Sequence, residues 1–230
     1  MTEIVPAIMP QGLEDLKYEA SEVKNKVKTV QLDLMDGIFV PERTWPFPNL
    51  KNISKELGKE GLPFWKDLNF ELDLMVKNAA SKIEDLILLG PSRLIFHIEA
   101  EDNLDIAKIR ERVGSIIEIG LAINTTTPIE KIEPFISETE GTRGIDFVQC
   151  MGIAEIGFQG QPHDPRVFDH INYLRKKYPK LIISVDGAVN IKNAKKFAEA
   201  GVNRLVVGSA IFESDDINKT IAEFHSILEG

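Results

Sequence analysis

Short apolar runs recur along this chain at a steady interval, each followed by a stretch of helical periodicity. That alternation restricts the fold more than any other feature. Strand-like runs fall at 3–8, 28–34, 70–76, 93–98, 116–123, 144–150, 181–185 and 204–207. Helical patterns follow at 13–25, 49–60, 79–89, 104–113, 128–137, 165–178, 191–200 and 215–228. Ile83, Leu86 and Ile87 show the i, i+3, i+4 spacing of a buried helical stripe. Pro128 stands where a first helical turn accepts proline. Eight units in 230 residues average about 29 residues, close to the ~30 of a βαβ unit. The runs are near-continuous Val, Ile and Leu, as in parallel strands covered on both faces. The pattern predicts the α/β class, with residues 1–230 forming a single (β/α)8 TIM-barrel domain. A doubly wound open sheet is the competing topology. It requires a glycine fingerprint after the first strand, which Ile8, Met9, Pro10, Gln11 and Gly12 do not supply.

Composition narrows the class of function. Lys+Arg 27 against Asp+Glu 36 leaves a net charge of −9. This argues against nucleic-acid binding, which draws much of its affinity from cations on phosphates. An anionic ligand has to be held locally, against the field of the whole molecule. The lone cysteine, Cys150, excludes an intrachain disulfide, the apolar runs fall short of a membrane span, and no signal peptide is expected. The expectation is a cytoplasmic protein with no membrane partner. Cys150 reads as a small buried apolar residue.

In such a barrel, function sits where the strands run out at their C-terminal ends. Strand two ends Gln31, Leu32, Asp33, Leu34, Met35, Asp36, Gly37, and strand three ends Glu71, Leu72, Asp73, Leu74, Met75, Val76. The tetrapeptide Leu-Asp-Leu-Met thus occurs twice, at matching places in consecutive units. Alternation puts Gln31, Asp33 and Met35 on one face, with Glu71, Asp73 and Met75 on the corresponding face of the next strand. Strand seven brings Ser184 and Asp186, and strand four ends His97, Ile98, Glu99. Three aspartates then meet at one barrel mouth. Close carboxylates repel, so one holds a proton or a cation sits among them. Either state serves acid–base or Lewis-acid chemistry. The alternative is that each aspartate caps the helix after its strand.

Glycine gathers at three neighbouring loops: Gly157 to Gly160 after strand six, Gly187 after strand seven, Gly208 after strand eight. Such loops either make tight turns or let backbone N–H groups approach a phosphate. They contain no Lys or Arg, so an anion there is held by backbone dipoles. Met35, Met75 and Met151 read as an apolar wall over a substrate or as core filler. His97 reads as a structural histidine, a base or a ligand. His163 and His170 are expected to face solvent. Residues 41–48, with Trp45 and Phe47, form a stiff aromatic segment, either a lid or a packed connection.

Taken in order along the chain, these motifs resemble the ribulose-phosphate 3-epimerase family. The resemblance rests on Leu32 to Gly37 with Phe39, Val40 and Pro41, on Leu74, Met75 and Val76, and on His97 to Ala100. Gly120 to Asn124, Gly157 and Phe158 with Gly160 and Gln161, Val185 to Gly187 with Val189, and Gly208 to Phe212 continue it. It implies a ribulose-phosphate-binding barrel that interconverts ribulose 5-phosphate and xylulose 5-phosphate through an enediolate. Two aspartates exchange acid and base roles at C3, and these fall on Asp33 and Asp186. The implied phosphate and substrate contacts are Gly157, Phe158, Gln159, Gly160, Gly187, Ala188, Gly208 and Ser209, with Met35, Met75 and Met151 as the wall. The implied partner is a small phosphorylated sugar, and self-association as a homo-oligomer is expected.

The chain departs from the family where a metal is held. The family's two ligand histidines fall on Gln31 and Asp73, so the implied metal set is Gln31, Asp33, Asp73 and Asp186. A divalent metal (Mg, Mn or Zn) is the implied cofactor, and an all-oxygen set favours the harder ions. Ala7 replaces the first-strand serine, Ile156 a proline, and Gln159 and Ala188 replace glycines. The primary expectation is a carbohydrate-phosphate 3-epimerase. The alternative is a phosphosugar-binding barrel that has lost epimerisation and binds or converts another phosphorylated ligand.

Overall fold

A computed structural model describes residues 2–136, 144–158 and 160–229. Eight parallel strands close in chain order into a barrel. They are β1 Glu3–Ile8, β2 Thr29–Met35, β3 Asn69–Met75, β4 Arg93–His97, β5 Glu118–Ile123, β6 Phe147–Met151, β7 Ile182–Asp186 and β8 Arg204–Val207. Around them lie α1 Leu13–Val23, α2 Ile53–Leu57, α3 Ile83–Leu86, α4 Ile106–Val113, α5 Glu133–Ile136, α6 Val167–Lys177, α7 Ile191–Glu199, α8 Ser209–Phe212 and α9 Ile217–Glu229. No helix among the described residues is long and apolar enough to cross a membrane.

All eight expected strands are present, most shifted by a residue or a few. Three expected helices are not continuous. Residues 49–60 give a 3-10 turn, Leu50–Asn52, before the five-residue α2. Residues 79–89 split into 3-10, α and 3-10 pieces around α3. Residues 128–136 give a 3-10 turn before α5, and the expected end at Ser137 lies outside the described residues. Their apolar positions are met all the same: Ile53, Leu57, Ile83, Leu86 and Ile132 are buried against the strands. Burial of the stripe, not an unbroken helix, is what the barrel demands. The short α8, between β8 and the closing α9, is an element the periodicity did not indicate.

The strand faces divide as alternation requires. Leu32, Leu34, Leu72 and Leu74 point to the helices and belong to the main apolar cluster. The other face fills the barrel in layers. At its N-terminal end the filling is ionic. Arg93 meets Glu71 at 2.8 Å, Glu118 at 3.2 Å and Glu3 at 3.3 Å, and Arg204 meets Glu118 at 2.9 Å. Phe147 packs its ring face against Arg204, 4.7 Å from guanidinium carbon to ring centroid. Gly120 makes room for that ring, since a Cβ there would come within 2.4 Å of it. The aspartates stand above this layer, at the open end.

Candidate active site

Register brings the repeated tetrapeptides side by side: Asp33 pairs with Asp73 and Met35 with Met75 across β2 and β3. Asp186 closes in from β7. One carboxylate oxygen from each of Asp33, Asp73 and Asp186 lies within 4.8 Å of the others. Among the described residues, no backbone N–H of a following helix donates to any of the three, so the capping alternative fails for them. Asp36 instead fixes the bend after β2, its Oδ1 accepting from Ile38 and Phe39 N–H.

Buried amides and one imidazole hold the cluster. Gln31 Nε2 donates to Asp33 Oδ1 at 2.8 Å and to Asp186 Oδ2 at 2.7 Å. Gln149 Nε2 adds a longer contact to Asp186 Oδ2 at 3.3 Å. His97 Nε2 lies 2.9 Å from Asp73 Oδ1. Phe39, from the segment after β2, covers the imidazole at 5.6 Å between centroids. Thr44 pins the end of β2, its hydroxyl donating to Asp33 O at 2.7 Å and accepting from Met35 N–H at 2.9 Å.

The electrostatics follow from this enclosure. Burial, then the neighbouring Asp186 and Asp73 charges, raise the Asp33 carboxyl well above its ordinary value. Burial and the Asp73 charge push Asp186 up to about 7, against the Gln31 hydrogen bond. At neutral pH the site therefore retains a proton that two free carboxylates would have lost. Burial works to lower His97, but the Asp73 charge and hydrogen bond outweigh it and leave the imidazole raised.

The donors present suit a divalent cation. Besides the three converging carboxylates, Asp73 Oδ2 and Gln31 Oε1 are enclosed without a hydrogen-bond partner. These are all oxygen atoms, the donor type of Mg²⁺, Mn²⁺ and Ca²⁺. Gln31 itself presents nitrogen to Asp33 and Asp186, so it joins such a set only with its amide turned over.

Asp33 and Asp186 face a cavity of about 530 Å³ at the barrel mouth. Gly157, Phe158, Gly160, Gly187, Ala188, Gly208 and Ser209 line it as well, so the glycine loops converge on the space the carboxylates face. Gln159 lies outside the described residues. Gly157, at φ +89°, lets the loop pass against Val40, where a Cβ would come to 2.8 Å. Ala188 adopts the left-handed conformation too, at φ 55°. Met75 and Met151 reach the cavity, whereas Met35 is wholly buried behind them in the same apolar cluster. The segment 41–48 is a packed connection. Trp45 is buried, its Nε1–H bonds Glu56 at 2.7 Å, and its backbone N–H bonds Pro10 O at 2.8 Å.

Two expectations about histidines are overturned. His170 is buried on the inner face of α6, and His163 is half-buried and lines the cavity. Gln161, part of the glycine-loop motif, lines it also, as do Asn190 and Glu213, which the sequence did not single out. Nor was Gln149 singled out, although its position between Phe147 and Met151 places it on the inward face of β6. Cys150 is buried as expected, and burial pushes its thiol up to about 12.

Residues 3–212 match the model of the Ribulose-phosphate 3 epimerase family. A rice (Oryza sativa subsp. japonica) protein named ribulose-phosphate 3-epimerase, cytoplasmic isoform, is 30% identical, covering 99% of this chain and 95% of its own. The ribulose-phosphate 3-epimerase of Schizosaccharomyces pombe is also 30% identical, covering 96% and 91%. Among solved structures, 3-hexulose-6-phosphate synthase from Salmonella typhimurium superposes with a TM-score of 0.69 at 14% identity, covering 99% of each chain. Orotidine 5'-phosphate decarboxylase from Pyrococcus horikoshii superposes at 0.62 with 16% identity, again covering 99% of each chain. At those identities the structural likeness speaks for the barrel alone.

Proposed function

The chain belongs to the ribulose-phosphate 3-epimerase family, and from that premise we propose that it inverts C3 of a phosphorylated ketose, interconverting D-ribulose 5-phosphate and D-xylulose 5-phosphate. Asp33 and Asp186 are the acid–base pair. One carboxylate takes the C3 proton, the electron pair moves toward C2 to give an enediolate, and the other carboxyl returns a proton to the opposite face. The two then exchange roles for the reverse turnover.

The observation that carries this reading is the Gln31 amide held between the two carboxylates, at 2.8 and 2.7 Å, beside a cavity walled by the glycine loops. The reaction needs one carboxyl protonated and one ionised. Raised values for both groups support a shared proton at neutral pH. Gln31 offers a donor to each partner, so it serves whichever one is ionised. Asp33, Asp73 and Asp186 would hold a divalent cation. When bound, a cation there supplies positive charge beside the oxygen that becomes the enediolate. Phe39 and the methionines keep water from the reacting carbon, and the glycine-loop backbone receives the phosphate.

The test is deuterium uptake at C3 of ribulose 5-phosphate in D₂O, read by NMR alongside xylulose 5-phosphate formation, with Mg²⁺, Mn²⁺ or Zn²⁺ supplied in turn. Exchange and epimer appearing together are expected. Tight binding without exchange under every cation assigns the chain instead to a phosphosugar binder that does not epimerise.

A further inference from the structure

A phosphate ester brings a charge of about −1.5 to −2 at neutral pH. The described cavity walls answer it poorly. Three carboxyl groups, from Asp33, Asp186 and Glu213, line the space, and no lysine or arginine does. Among the described lining residues, His163 is the one side chain with a ring N–H to offer or a positive charge to gain. It follows Gly160 by three residues, on the loop that carries the phosphate glycines.

The ring has a built seat. It stands edge-on to Phe168 of α6, at 5.8 Å and 78°, and edge-on to Phe197 of α7, at 5.6 Å and 85°. Those two rings stack on each other at 4.9 Å and 14°. Lys196 lies 4.1 Å over the far ring, Phe168. The next residue, Asp164, is committed to Arg166 at 2.6 Å and to Thr125 at 2.6 Å, so it does not neutralise the imidazole. Two helices thus hold a loop side chain in one orientation. A contact made by a preorganised donor loses little ordering entropy when a ligand arrives.

Resting on the epimerase reading above, we propose that His163 is the substrate's phosphate-recognition side chain, donating a ring N–H to a phosphate oxygen and selecting phosphorylated over free sugar. Burial, then the charge of Lys196, hold the imidazole below its ordinary range. One ring nitrogen already bonds the Gly152 backbone, so the other becomes a donor as the phosphate beside it draws a proton onto the ring.

Three proteins separate recognition from packing: wild type, His163→Phe, which keeps a ring against Phe168 and Phe197 but loses the nitrogens, and His163→Gln, which restores an N–H donor. Calorimetry with inorganic phosphate reads binding without turnover, calorimetry with D-ribulose 5-phosphate reads binding of the equilibrating epimers, and thermal denaturation confirms folding. His163→Phe is expected to bind both ligands about tenfold more weakly, or about 1.4 kcal/mol, with His163→Gln recovering most of the loss. In turnover the loss is expected in KM rather than in kcat, and only for the phosphorylated sugar. Equal binding by wild type and His163→Phe overturns the proposal and leaves His163 a packing residue. Phosphate binding that depends on His163 in a protein showing no C3 exchange sustains the proposal while the epimerase reading fails. No binding by wild type overturns both.

Discussion

His97 Nε2 sits 2.9 Å from Asp73 Oδ1, and neither side chain has any exposed surface. A carboxylate that deep is tolerated only while a partner meets it. His97→Phe removes the partner, leaves the charge, and keeps a ring against Phe39. The expected loss is about 3–5 kcal/mol, as when one half of a buried pair is removed, measured by urea denaturation. His97→Phe combined with Asp73→Asn should recover part of it. A loss below about 1 kcal/mol, the range of exposed pairs, would show that burial adds nothing to this contact.

The acid–base assignment is checked by substitutions that keep shape. Asp33→Asn and Asp186→Asn should each lower C3 exchange by about 10²–10⁴-fold, the usual contribution of a positioned acid or base. Binding measured by calorimetry should change far less. Exchange near wild-type rate in either variant removes that residue from the mechanism.

Raised carboxyls make a prediction about pH. Asp33 and Asp186 bind protons in the folded chain that they release near pH 4 when unfolded. Their contribution is therefore fully present below about pH 4 and is lost as pH rises through about 7. A cation replaces the missing proton, so Mn²⁺ should raise the melting temperature more at pH 8 than at pH 5, and a chelator should cancel the difference. Glu19, also raised to about 7, and His97 slope the same way. The decisive comparison is Asp186→Asn, which should flatten the curve and weaken the Mn²⁺ effect. Identical wild-type curves with chelator and with Mn²⁺ would count against a cation at the three carboxylates.

Ala188 and Gly187 predict opposite signs one residue apart. Ala188 carries a Cβ in a left-handed conformation, φ 55°. Ala188→Gly should stabilise by about 1 kcal/mol, or roughly 2–4 °C in a chain of this size. Gly187 sits at φ +102°, and a Cβ there would come 2.9 Å from Ile153 Cγ1. Gly187→Ala should cost roughly 2 kcal/mol and weaken phosphate binding, because the loop after β7 must shift. Differential scanning calorimetry of the two variants gives both signs.

What could be read without coordinates follows a physical divide. The strands were legible because a strand covered on both faces must be continuously apolar, and the inward aspartates because a strand's side chains alternate. Asp33 beside Asp73 follows from those two facts and a parallel register. The helices over 49–60 and 79–89 were legible only as apolar stripes, since 3-10 and α turns share the i, i+3 spacing. His163 and His170 were misjudged because their burial comes from α6, α7 and the loops packing together. Nothing local to Pro162, His163 and Asp164 carries that information. The sense of the Gln31 amide was equally out of reach, as it depends on two carboxylates, one of them 155 residues away.

The layer of Glu3, Glu71, Arg93, Glu118 and Arg204 bears on isotope traffic. With Phe147 against Arg204, it fills the barrel's N-terminal end, and Glu71 has no exposed surface. On the proposed chemistry, a hydrogen lifted from C3 onto Asp33 or Asp186 would leave through the mouth cavity that those residues line and the sugar would occupy. While the sugar stayed, it would stand between that hydrogen and bulk water. The ratio of label returned to carbon against label washed out becomes a clock for how long each sugar remains.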